Sequence, residues 1–521
     1  FVIDELKNKP VLVIGLGPRG CAACELLHEG GARVFALDAA DTENLRVEAA
    51  RLRSLGIEVK LGATGAPDQP FSLAVVSPGV PGNSPLVREI MRRNVPIIGE
   101  FELGYRKTQC LNITVAGSNG KSTTAEMIER LLAHGHRKAV LAGDGTRPLC
   151  GVASQTRELD FLVLQGSAFQ LETTRFFRPA VGVLLNLSPD HRDRYPALED
   201  YVRATARLFQ NQQPFDWAIV QSEALAQLRA LNIPIPSKVI SFSANDRQAD
   251  LYLERGLLIS RLPDWSGPLL NLDECQLRGP HNAENLMAAL AVGRVLRLPL
   301  EGTVEVLKTQ PPGPHRCEFV AEINGVRFIN DAKAANPEAL RQALLSLPAR
   351  SGGEPNVWLI AGGRDKGLEY HDLGPVLSQR VKGAFLLGEA REKLRAAWGL
   401  FTACALVSSL LEAVTVAAKS AAPGDVILLS PACSSLDQFR NYQHRGEVFR
   451  QAVHALATPT GSARAFGNHN RYAAPGMETG LTLAKNLTIL PRGFLRENPE
   501  VKKNQLNQHL NQIERTPTSA N

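Results

Sequence analysis

A glycine-rich loop at residues 117–123 has the clearest chemical meaning in the chain, and it reads Gly-Ser-Asn-Gly-Lys-Ser-Thr. The segment Asn-Ile-Thr-Val-Ala at 112–116 precedes it and predicts a strand, while a helical pattern at 124–132 follows it. In such a unit the backbone N–H groups cradle phosphates, Lys121 offsets their negative charge, and Ser122 offers its hydroxyl to Mg²⁺. The loop lacks the first glycine of the full eight-residue motif, yet its setting favours ATP binding over a plain glycine turn. The predicted ATP contacts in the loop are Gly117, Ser118, Asn119, Gly120, Lys121, Ser122 and Thr123.

Three other stretches concentrate polar residues directly after apolar segments that predict strands. They are residues 186–194, 330–336 and 362–367. Parallel α/β sheets bind their ligands beyond the carboxyl ends of the strands, so these stretches are candidate ligand contacts. An isolated His is more often structural, but His191 directly after Asp190 in a chain with a phosphate loop favours a metal or phosphate contact. We interpret Lys333 and Lys366 in the same way, as functional cations rather than solvated surface charges.

A second glycine turn, Gly-Leu-Gly-Pro-Arg-Gly at residues 15–20, follows the first predicted strand of the chain. A helical pattern at 21–27 comes next, and the following strand pattern at 33–38 ends in Asp38. This is a unit of Rossmann type, whose glycines let the backbone approach a diphosphate at the helix N-terminus. Taken alone, the turn fits NAD, FAD, a nucleotide sugar or no ligand. A nicotinamide-dependent oxidoreductase is therefore an alternative, but it leaves the phosphate loop unexplained.

Length and composition indicate a folded protein of several domains. The chain has 521 residues, of which 44% are hydrophobic and 21% are charged, enough for about three or four domains of ordinary size. Its net charge of +6 is mixed in sign along the chain and does not indicate a nucleic-acid partner. No apolar run reaches the roughly 18 residues of a membrane span. We expect a soluble, cytoplasmic monomer without nucleic-acid or membrane partners.

Alternating strand and helix patterns predict three α/β domains, of Rossmann-like or P-loop type, with mainly parallel sheets. The predicted domains are residues 1–105, 106–312 and 313–457. The segment 458–521 is rich in Asn, Gln, Pro and Thr, so we expect a polar, mobile tail. Cys21 and Cys24 form a CxxC pair without a second half, and we interpret them as buried helix residues rather than a redox or metal site.

Taken together and in this order, the motifs resemble the Mur ligase family over residues 10–456. The motifs that carry the resemblance are the 117–123 loop, Phe169-Gln-Leu-Glu172, Asp190-His-Arg-Asp-Arg194, His281-Asn282, His315-Arg316, Asn330-Asp-Ala-Lys333, Gly362 to Gly367, and Leu429-Ser-Pro-Ala-Cys-Ser-Ser-Leu-Asp-Gln-Phe439. The resemblance implies domains that bind a UDP-linked substrate, ATP and an amino acid, in that order. It further implies an ATP- and Mg²⁺-dependent ligase that joins D-glutamate to UDP-N-acetylmuramoyl-L-alanine through an acyl phosphate, in peptidoglycan precursor synthesis. The 429–439 motif favours D-glutamate over another amino acid.

The resemblance also implies roles for single residues. Those implied in catalysis are Lys121, His191 and Lys333. Those implied in ATP binding, beyond the 117–123 loop, are Asn282 at the adenine, Arg316 and Asp331. Those implied in binding the UDP substrate or D-glutamate are Gly15, Gly17, Asp38, Ser77, Lys333, Lys366, Ser435 and Tyr442. The implied metal contacts are Ser122, Gln165 and His191.

Two positions of the implied metal site depart from the family pattern. The family usually has a Mg²⁺-binding Glu where this chain has Gln165, and a lysine carbamylated by CO₂ where it has Thr205, four residues after Tyr201. Mg²⁺ prefers charged oxygen ligands, so we expect this site to bind the ion less well. Two hypotheses remain open: an active ligase with altered metal use, and a catalytically silent homologue that binds UDP-muropeptide or ATP.

Overall fold

The computed structural model describes residues 3–457, apart from residues 145, 193 and 351. The tail predicted for 458–521 lies outside these residues. The described residues belong to one compact unit, whose three β-sheets have five, nine and six strands in that order along the chain. No helix within the described ranges has both the length and the hydropathy that crossing a membrane requires. Most strand pairs are parallel, which confirms the predicted α/β class with mainly parallel sheets.

The first sheet is entirely parallel and has the strand order β3-β2-β1-β4-β5. Its strands are β1 (Pro10–Ile14), β2 (Arg33–Leu37), β3 (Glu58–Lys60), β4 (Leu73–Val76) and β5 (Ile97–Gly99). Its helices are α1 (Pro18–Glu29), α2 (Glu43–Ser54), α3 (Pro85–Arg92) and α4 (Glu100–Lys107). Gly20 lets α1 begin close against β1, because a Cβ there would lie 1.8 Å from the carbonyl oxygen of Gly15. The chain order reverses between β1 and β4, and such a switch point forms a crevice at the carboxyl ends of the strands.

The second sheet carries the phosphate loop on its strand β6, which lies between β8 and β9. Its strands are β6 (Leu111–Ala116), β7 (Ala139–Ala142), β8 (Phe161–Gly166), β9 (Val181–Leu184), β10 (Trp217–Gln221), β11 (Lys238–Ser243), β12 (Leu251–Glu254), β13 (Leu257–Ser260) and β14 (Gly267–Asn271). Its helices are α5 (Lys121–His134), α6 (Leu149–Ala153), α7 (Ala168–Leu171), α8 (Leu198–Ala206), α9 (Ser222–Ala230), α10 (Pro280–Val295) and α11 (Leu300–Lys308). The antiparallel pairs β12–β13 and β13–β14 lie at one edge. Every residue of β6 after its first is buried, so the loop starts from a fixed strand end.

The third sheet has the order β15-β16-β20-β17-β18-β19, and only the β15–β16 pair is antiparallel among its described pairs. Its strands are β15 (Glu318–Ile323), β16 (Val326–Asn330), β17 (Val357–Gly362), β18 (Val381–Leu387), β19 (Ala403–Leu406) and β20 (Val426–Leu429). Its helices are α12 (Pro337–Ser346), α13 (Gly374–Arg380), α14 (Arg391–Trp398), α15 (Leu410–Ser420) and α16 (Tyr442–Ala457). Strand β20 pairs in parallel with both β16 and β17. The stretches 330–336 and 362–367 and the 429–439 motif, which follow these three strands, therefore all begin at the carboxyl ends of neighbouring strands.

The predicted domain boundaries lie near the gaps between the sheets. The boundary expected at residue 105 falls inside α4, because this helix continues to Lys107 and the next strand begins at Leu111. The boundary expected at residue 312 falls between α11 and β15. We propose a first domain that ends between Lys107 and Leu111, and we retain residue 312 as the proposed end of the second.

The CxxC pair lies inside the first domain's core. Cys21 and Cys24 are both on α1, both buried, and neither forms a disulfide. Burial raises the pKa of the Cys21 thiol to about 11 and raises that of Cys24 further. A thiol protonated at neutral pH is a poor nucleophile and metal ligand. The interpretation of the pair as buried helix residues is confirmed.

Candidate active site

The phosphate loop is held in place by the turn that follows the neighbouring strand β9. Asn186 in that turn accepts the Ser118 N–H at its carbonyl oxygen, at 2.8 Å, and the Asn119 N–H at its side-chain oxygen, at 2.9 Å. Gly120 has φ +87°, and a Cβ there would lie 2.3 Å from Oδ1 of Asn285. Helix α5 begins directly after this glycine, so its free N–H groups point into the loop. A braced loop at a helix N-terminus is preorganised for a phosphate.

The Lys121 side chain folds back onto the phosphate loop and hydrogen-bonds to its backbone. Its Nζ donates to the carbonyl oxygens of Gly117, at 2.6 Å, and Ser118, at 2.9 Å. Burial lowers the pKa of this lysine to about 8, with Asp190 raising it and Lys366 lowering it further. A phosphate in the loop would compete with these carbonyl groups for the ammonium and would favour its charged form.

Ser122 links the second sheet to the third. Its Oγ donates to Oε1 of Gln165 on β8, at 2.8 Å, and accepts from Nζ of Lys333, at 2.7 Å. Lys333 lies in the turn after β16, and its Nζ is 5.2 Å from the ring centre of Tyr442. Burial, together with the positive charge of Arg316, lowers the pKa of Lys333 to about 7. The predicted lysine of the third sheet therefore lies beside the first turn of the phosphate-loop helix.

Asp190 joins the same two sheets through a second set of contacts. Its Oδ1 lies 3.1 Å from Nζ of Lys366, and its Oδ2 accepts from Nδ2 of Asn336, at 3.4 Å. Nε2 of His191 lies 3.7 Å from the same Oδ2. Burial raises the pKa of Asp190, but Lys366 and His191 lower it more, so the carboxylate stays charged at neutral pH. The three polar stretches singled out from the sequence thus meet at one place, although their chemical roles stay a prediction.

Arg316 and Asp331 fix the start of the third sheet in different ways. Arg316 forms two parallel bonds with Glu126 of α5, each 3.1 Å long. Asp331 accepts from the Cys317 N–H, at 3.2 Å, and from the Ser430 hydroxyl, at 2.8 Å, and burial raises its pKa to about 7. Arg316 therefore bridges to the phosphate-loop helix, whereas both Asp331 oxygens are bonded within the third domain.

The glycine turn of the first sheet is closed by Asp38 and open at Gly17. Asp38 accepts the N–H of Leu16, at 2.8 Å, through Oδ2, so it fixes the turn from the end of β2. Gly15 has φ +91°, and a Cβ there would lie 2.9 Å from the Cβ of the buried Ser77. A Cβ at Gly17 would meet no atom within 4 Å. The turn therefore has an open side that a diphosphate can approach.

The remaining predicted contacts lie at the ends of two helices and one strand. Asn282, in the first turn of α10, donates to the carbonyl oxygen of Arg278, at 2.8 Å, and accepts from Nδ2 of Asn285, at 3.3 Å. Ser435 is buried in the turn after β20. Tyr442 is the first residue of α16 and lies beside Lys333. The Tyr442 side chain is thereby brought next to a predicted site residue of another element, Lys333.

Sequence reasoning missed Asn285 and Glu126, which hold the site together, and it singled out the 330–336 stretch without giving Asn336 a role of its own. Asn285 accepts from the Thr124 hydroxyl, at 3.2 Å, and Asn336 donates to Oδ1 of Asn119, at 3.1 Å. A buried polar residue in the apolar run of α10 was a usable signal for Asn285. Glu126 gave none, because a lone carboxylate on a helix is usually solvated.

Two of the residues implied for Mg²⁺, Ser122 and Gln165, fit the ion in spacing but not in charge. Neighbouring oxygens in a Mg²⁺ octahedron lie about 2.9 Å apart, close to the 2.8 Å between the Ser122 and Gln165 oxygens. Both groups are neutral, and Lys333 donates to the same Ser122 oxygen. Within the described ranges, no group of three or more His, Cys, Asp or Glu residues could hold a metal. These residues do not fit a metal that the protein binds on its own.

Comparisons with known proteins agree on one family. The Mur ligase middle domain matches residues 115–293, and the Mur ligase, glutamate ligase domain matches residues 315–433. A protein of Acidobacterium capsulatum named UDP-N-acetylmuramoylalanine--D-glutamate ligase is 38% identical over 453 residues, which cover 86% of this chain and 97% of the relative. A protein of the same name from Geobacillus kaustophilus is 38% identical over 460 residues, covering 86% and 98%.

Solved structures give the same fold at lower identity. The UDP-N-acetylmuramate-alanine ligase MurC from Thermotoga maritima superposes with a TM-score of 0.56 at 18% identity, covering 86% of this chain and 100% of that one. The MurF ligase from Thermotoga maritima, solved in complex with ADP, has a TM-score of 0.55 at 17% identity, covering 87% and 97%. At such identities the likeness establishes the three-sheet fold alone.

Proposed function

The chain belongs to the Mur ligase family, and we propose that it is an ATP-dependent ligase that joins D-glutamate to UDP-N-acetylmuramoyl-L-alanine, in peptidoglycan precursor synthesis. The observation that carries the proposal is the meeting of two lysines of the third domain with the second domain: Lys333 contacts Ser122 of the phosphate loop, and Lys366 contacts Asp190 in the stretch that follows β9. Relatives that carry this ligase name match over nearly their whole length, which supports the choice of substrates.

The proposed reaction forms an amide bond in two steps. A carboxylate oxygen of the UDP substrate attacks the γ-phosphorus of ATP, the bond from that phosphorus to the bridging oxygen of ADP breaks, and an acyl phosphate forms. The amino group of D-glutamate then attacks the acyl carbon, phosphate leaves, and the amine loses a proton. Both steps gather anions at one point, so fixed positive groups there stabilise the transition states.

The positions of the lysines support this chemistry. Lys121 and the N–H groups of residues 117–123 would hold the ATP phosphates. Lys333 lies 2.7 Å from Ser122 Oγ and would face both the transferred phosphate and the substrate carboxylate. Lys366 now pairs with Asp190, at 3.1 Å, and would contribute positive charge for a carboxylate of D-glutamate.

Further residues complete the proposed assignment. The open turn at Gly15 and Gly17, with Asp38 and Ser77 behind it, would bind the uridine diphosphate. The remaining contacts follow the resemblance: Asn282, Arg316 and Asp331 for ATP, His191 for the metal ion that accompanies ATP, and Ser435 and Tyr442 for the UDP substrate and D-glutamate. We retain Mg²⁺ as the companion ion of ATP, and the proposal implies a cytoplasmic location. A monomer remains a prediction.

The two alternatives raised by the sequence have less support. The hypothesis of a nicotinamide-dependent oxidoreductase rested on the Gly15–Gly20 turn alone. The match to Mur ligase domains leaves that hypothesis without support. A silent homologue would explain the neutral Gln165 and Thr205, but neither the family matches nor the named relatives support it. The retained lysines in bonding contact across the site also favour an active ligase.

The test is phosphate release by the purified chain with ATP, Mg²⁺, UDP-N-acetylmuramoyl-L-alanine and D-glutamate, with each omitted in turn and the product identified by mass. Release and product should require the complete mixture. Lys121→Met should abolish both, whereas Lys419→Met, the same change on the exposed end of α15, should not. Nucleotide binding without any product would refute the ligase in favour of the silent homologue.

A further inference from the structure

The surroundings of the Ser122 hydroxyl favour an anion over a free metal ion. The hydroxyl donates to the Gln165 amide oxygen, at 2.8 Å, and accepts from the Lys333 ammonium, at 2.7 Å. An amide has no net charge, and an ammonium repels a divalent cation at this range. A metal ion reaching this hydroxyl must therefore bring its own negative ligands.

Three carboxylates near the site are already paired with cations. The pairs are Asp190 with Lys366, Glu126 with Arg316, and Glu172 with Arg194. Glu172 also accepts the hydroxyl of Tyr195, so it does not replace the missing charge at Gln165. Diverting any of these carboxylates to a metal would leave a partly buried cation unpaired, which is costly.

Helix α8 adds no charge to the phosphate loop either. Thr205 is 1% exposed, and its hydroxyl donates to the carbonyl oxygen of Tyr201 one turn earlier, at 2.8 Å. The Tyr201 hydroxyl in turn lies 3.1 Å from Oγ of Ser118 in the loop. This face of the site is therefore closed by neutral hydrogen-bonded groups.

We infer that the protein binds a divalent cation only together with its nucleotide, one ion per nucleotide, and that the Lys333 ammonium supplies the remaining positive charge beside Ser122. The inference rests on the proposed function, because it places the nucleotide in the 117–123 loop. The nucleotide phosphates bring the negative ligands that the described side chains lack, and the Ser122 and Gln165 oxygens are correctly spaced to complete the coordination.

The experiment follows Mn²⁺ by electron paramagnetic resonance, in which the free ion gives a signal that is lost on binding. Mn²⁺ is titrated into the chain alone, and into the chain with a non-hydrolysable ATP analogue that is less abundant than the protein. The chain alone should leave the free signal unchanged at equimolar metal. With the analogue, one ion per nucleotide should bind.

Two substitutions, each with a matched control, test why the metal ion needs the nucleotide and whether Lys333 contributes to nucleotide binding. Gln165→Glu places a carboxylate beside Ser122 and should tighten Mn²⁺ binding in the nucleotide complex about tenfold or more, because Mn²⁺ shares the preference for charged oxygens. Gln210→Glu makes the same change at an exposed position and should have no effect. In metal-free buffer, Lys333→Met should weaken analogue binding about tenfold, and Lys419→Met should not.

The outcomes separate this inference from the proposed function, because metal binding is measured without turnover. Tight Mn²⁺ binding to the wild-type chain alone, or two ions per nucleotide, would overturn the inference whatever the ligase activity. An unchanged affinity in Lys333→Met would overturn the role given to that lysine. If the predicted binding is found but no ligase product forms, the inference stands and the proposed function falls. The wild-type titrations decide the metal question even if a variant fails to fold.

Discussion

The environments of two half-buried lysines, Lys121 and Lys333, lead us to expect that nucleotide binding takes up protons. Without a ligand, burial lowers the pKa of Lys121 to about 8 and that of Lys333 to about 7. At pH 8, Lys121 is therefore about half protonated and Lys333 about one-tenth protonated. A triphosphate beside both amines favours their charged forms and raises both pKa values. Binding should thus be accompanied by protonation of both side chains.

The number of protons taken up, and the direction in which nucleotide affinity changes with pH, follow from these two pKa values. If both lysines are fully charged in the complex, uptake is roughly 1.4 protons per nucleotide at pH 8 and roughly 0.6 at pH 7. Because binding consumes protons, affinity must fall as pH rises. The same fractions give a decrease of about tenfold between pH 7 and pH 8. The nucleotide phosphates, with a second pKa near 6, are largely ionised at both values and contribute little.

Isothermal titration calorimetry with a non-hydrolysable ATP analogue measures this uptake, when repeated in buffers of different ionisation enthalpy. Lys333→Met should remove about 0.9 of a proton at pH 8, and the surface variant Lys419→Met should remove none. Uptake below about 0.3 proton at pH 8, or an affinity that does not fall between pH 7 and pH 8, would refute the reasoning. Either result would mean that the lysines keep their protons in the free protein.

Two further predictions concern the frame of the loop. Gly120→Ala adds a Cβ 2.3 Å from Asn285 Oδ1 at φ +87°, and should weaken nucleotide binding about 100-fold, since strain and the displaced amide together cost about 3 kcal/mol. The control is Gly56→Ala, because Gly56 has the same φ of +87° and a Cβ there would meet no atom within 4 Å. We expect this variant to keep its nucleotide affinity. A similar loss of affinity in both variants would exclude the contact with Asn285 as the cause. Arg316→Gln and Glu126→Gln should each raise the KM for ATP several-fold, because each breaks the same bidentate pair. Steady-state kinetics of the double variant should show little further change, and additive effects would show that the two side chains act separately.

Local sequence patterns predicted the strands and the loops that follow them. The segment 112–116 and the glycines that follow it correspond to β6 and the phosphate loop, and every residue of that segment is buried. The predicted helix at 124–132 was too short. Gly120 takes a left-handed conformation, so α5 begins at Lys121 and includes three of the predicted ATP contacts, Lys121, Ser122 and Thr123.

Contacts between domains were beyond such reasoning. Arg316 and Glu126 are 190 positions apart in the chain. The local sequence around either residue does not indicate that the two side chains pair. The convergence of polar motifs was predictable because parallel strands end at the same edge of a sheet. Which side chains pair across two different sheets depends on how the domains pack. A single sequence carries no direct record of that packing.

The neutral side chain of Gln165 affects the contact that joins the second and third sheets when no nucleotide is bound. Lys333 reaches across to the second sheet, where among the described residues its ammonium forms one hydrogen bond, to the Ser122 hydroxyl at 2.7 Å, next to the Gln165 amide. A neutral hydrogen-bond acceptor holds an ammonium less strongly than a buried carboxylate would, by roughly 1 kcal/mol against 3 or more when a charge pair is broken. A carboxylate at position 165 without its metal would pair with Lys333 and compete with the incoming phosphate for it. The amide leaves this lysine available, so the two proposals, a missing metal ligand at position 165 and Lys333 as a cation for phosphate, rest on the same neutral side chain.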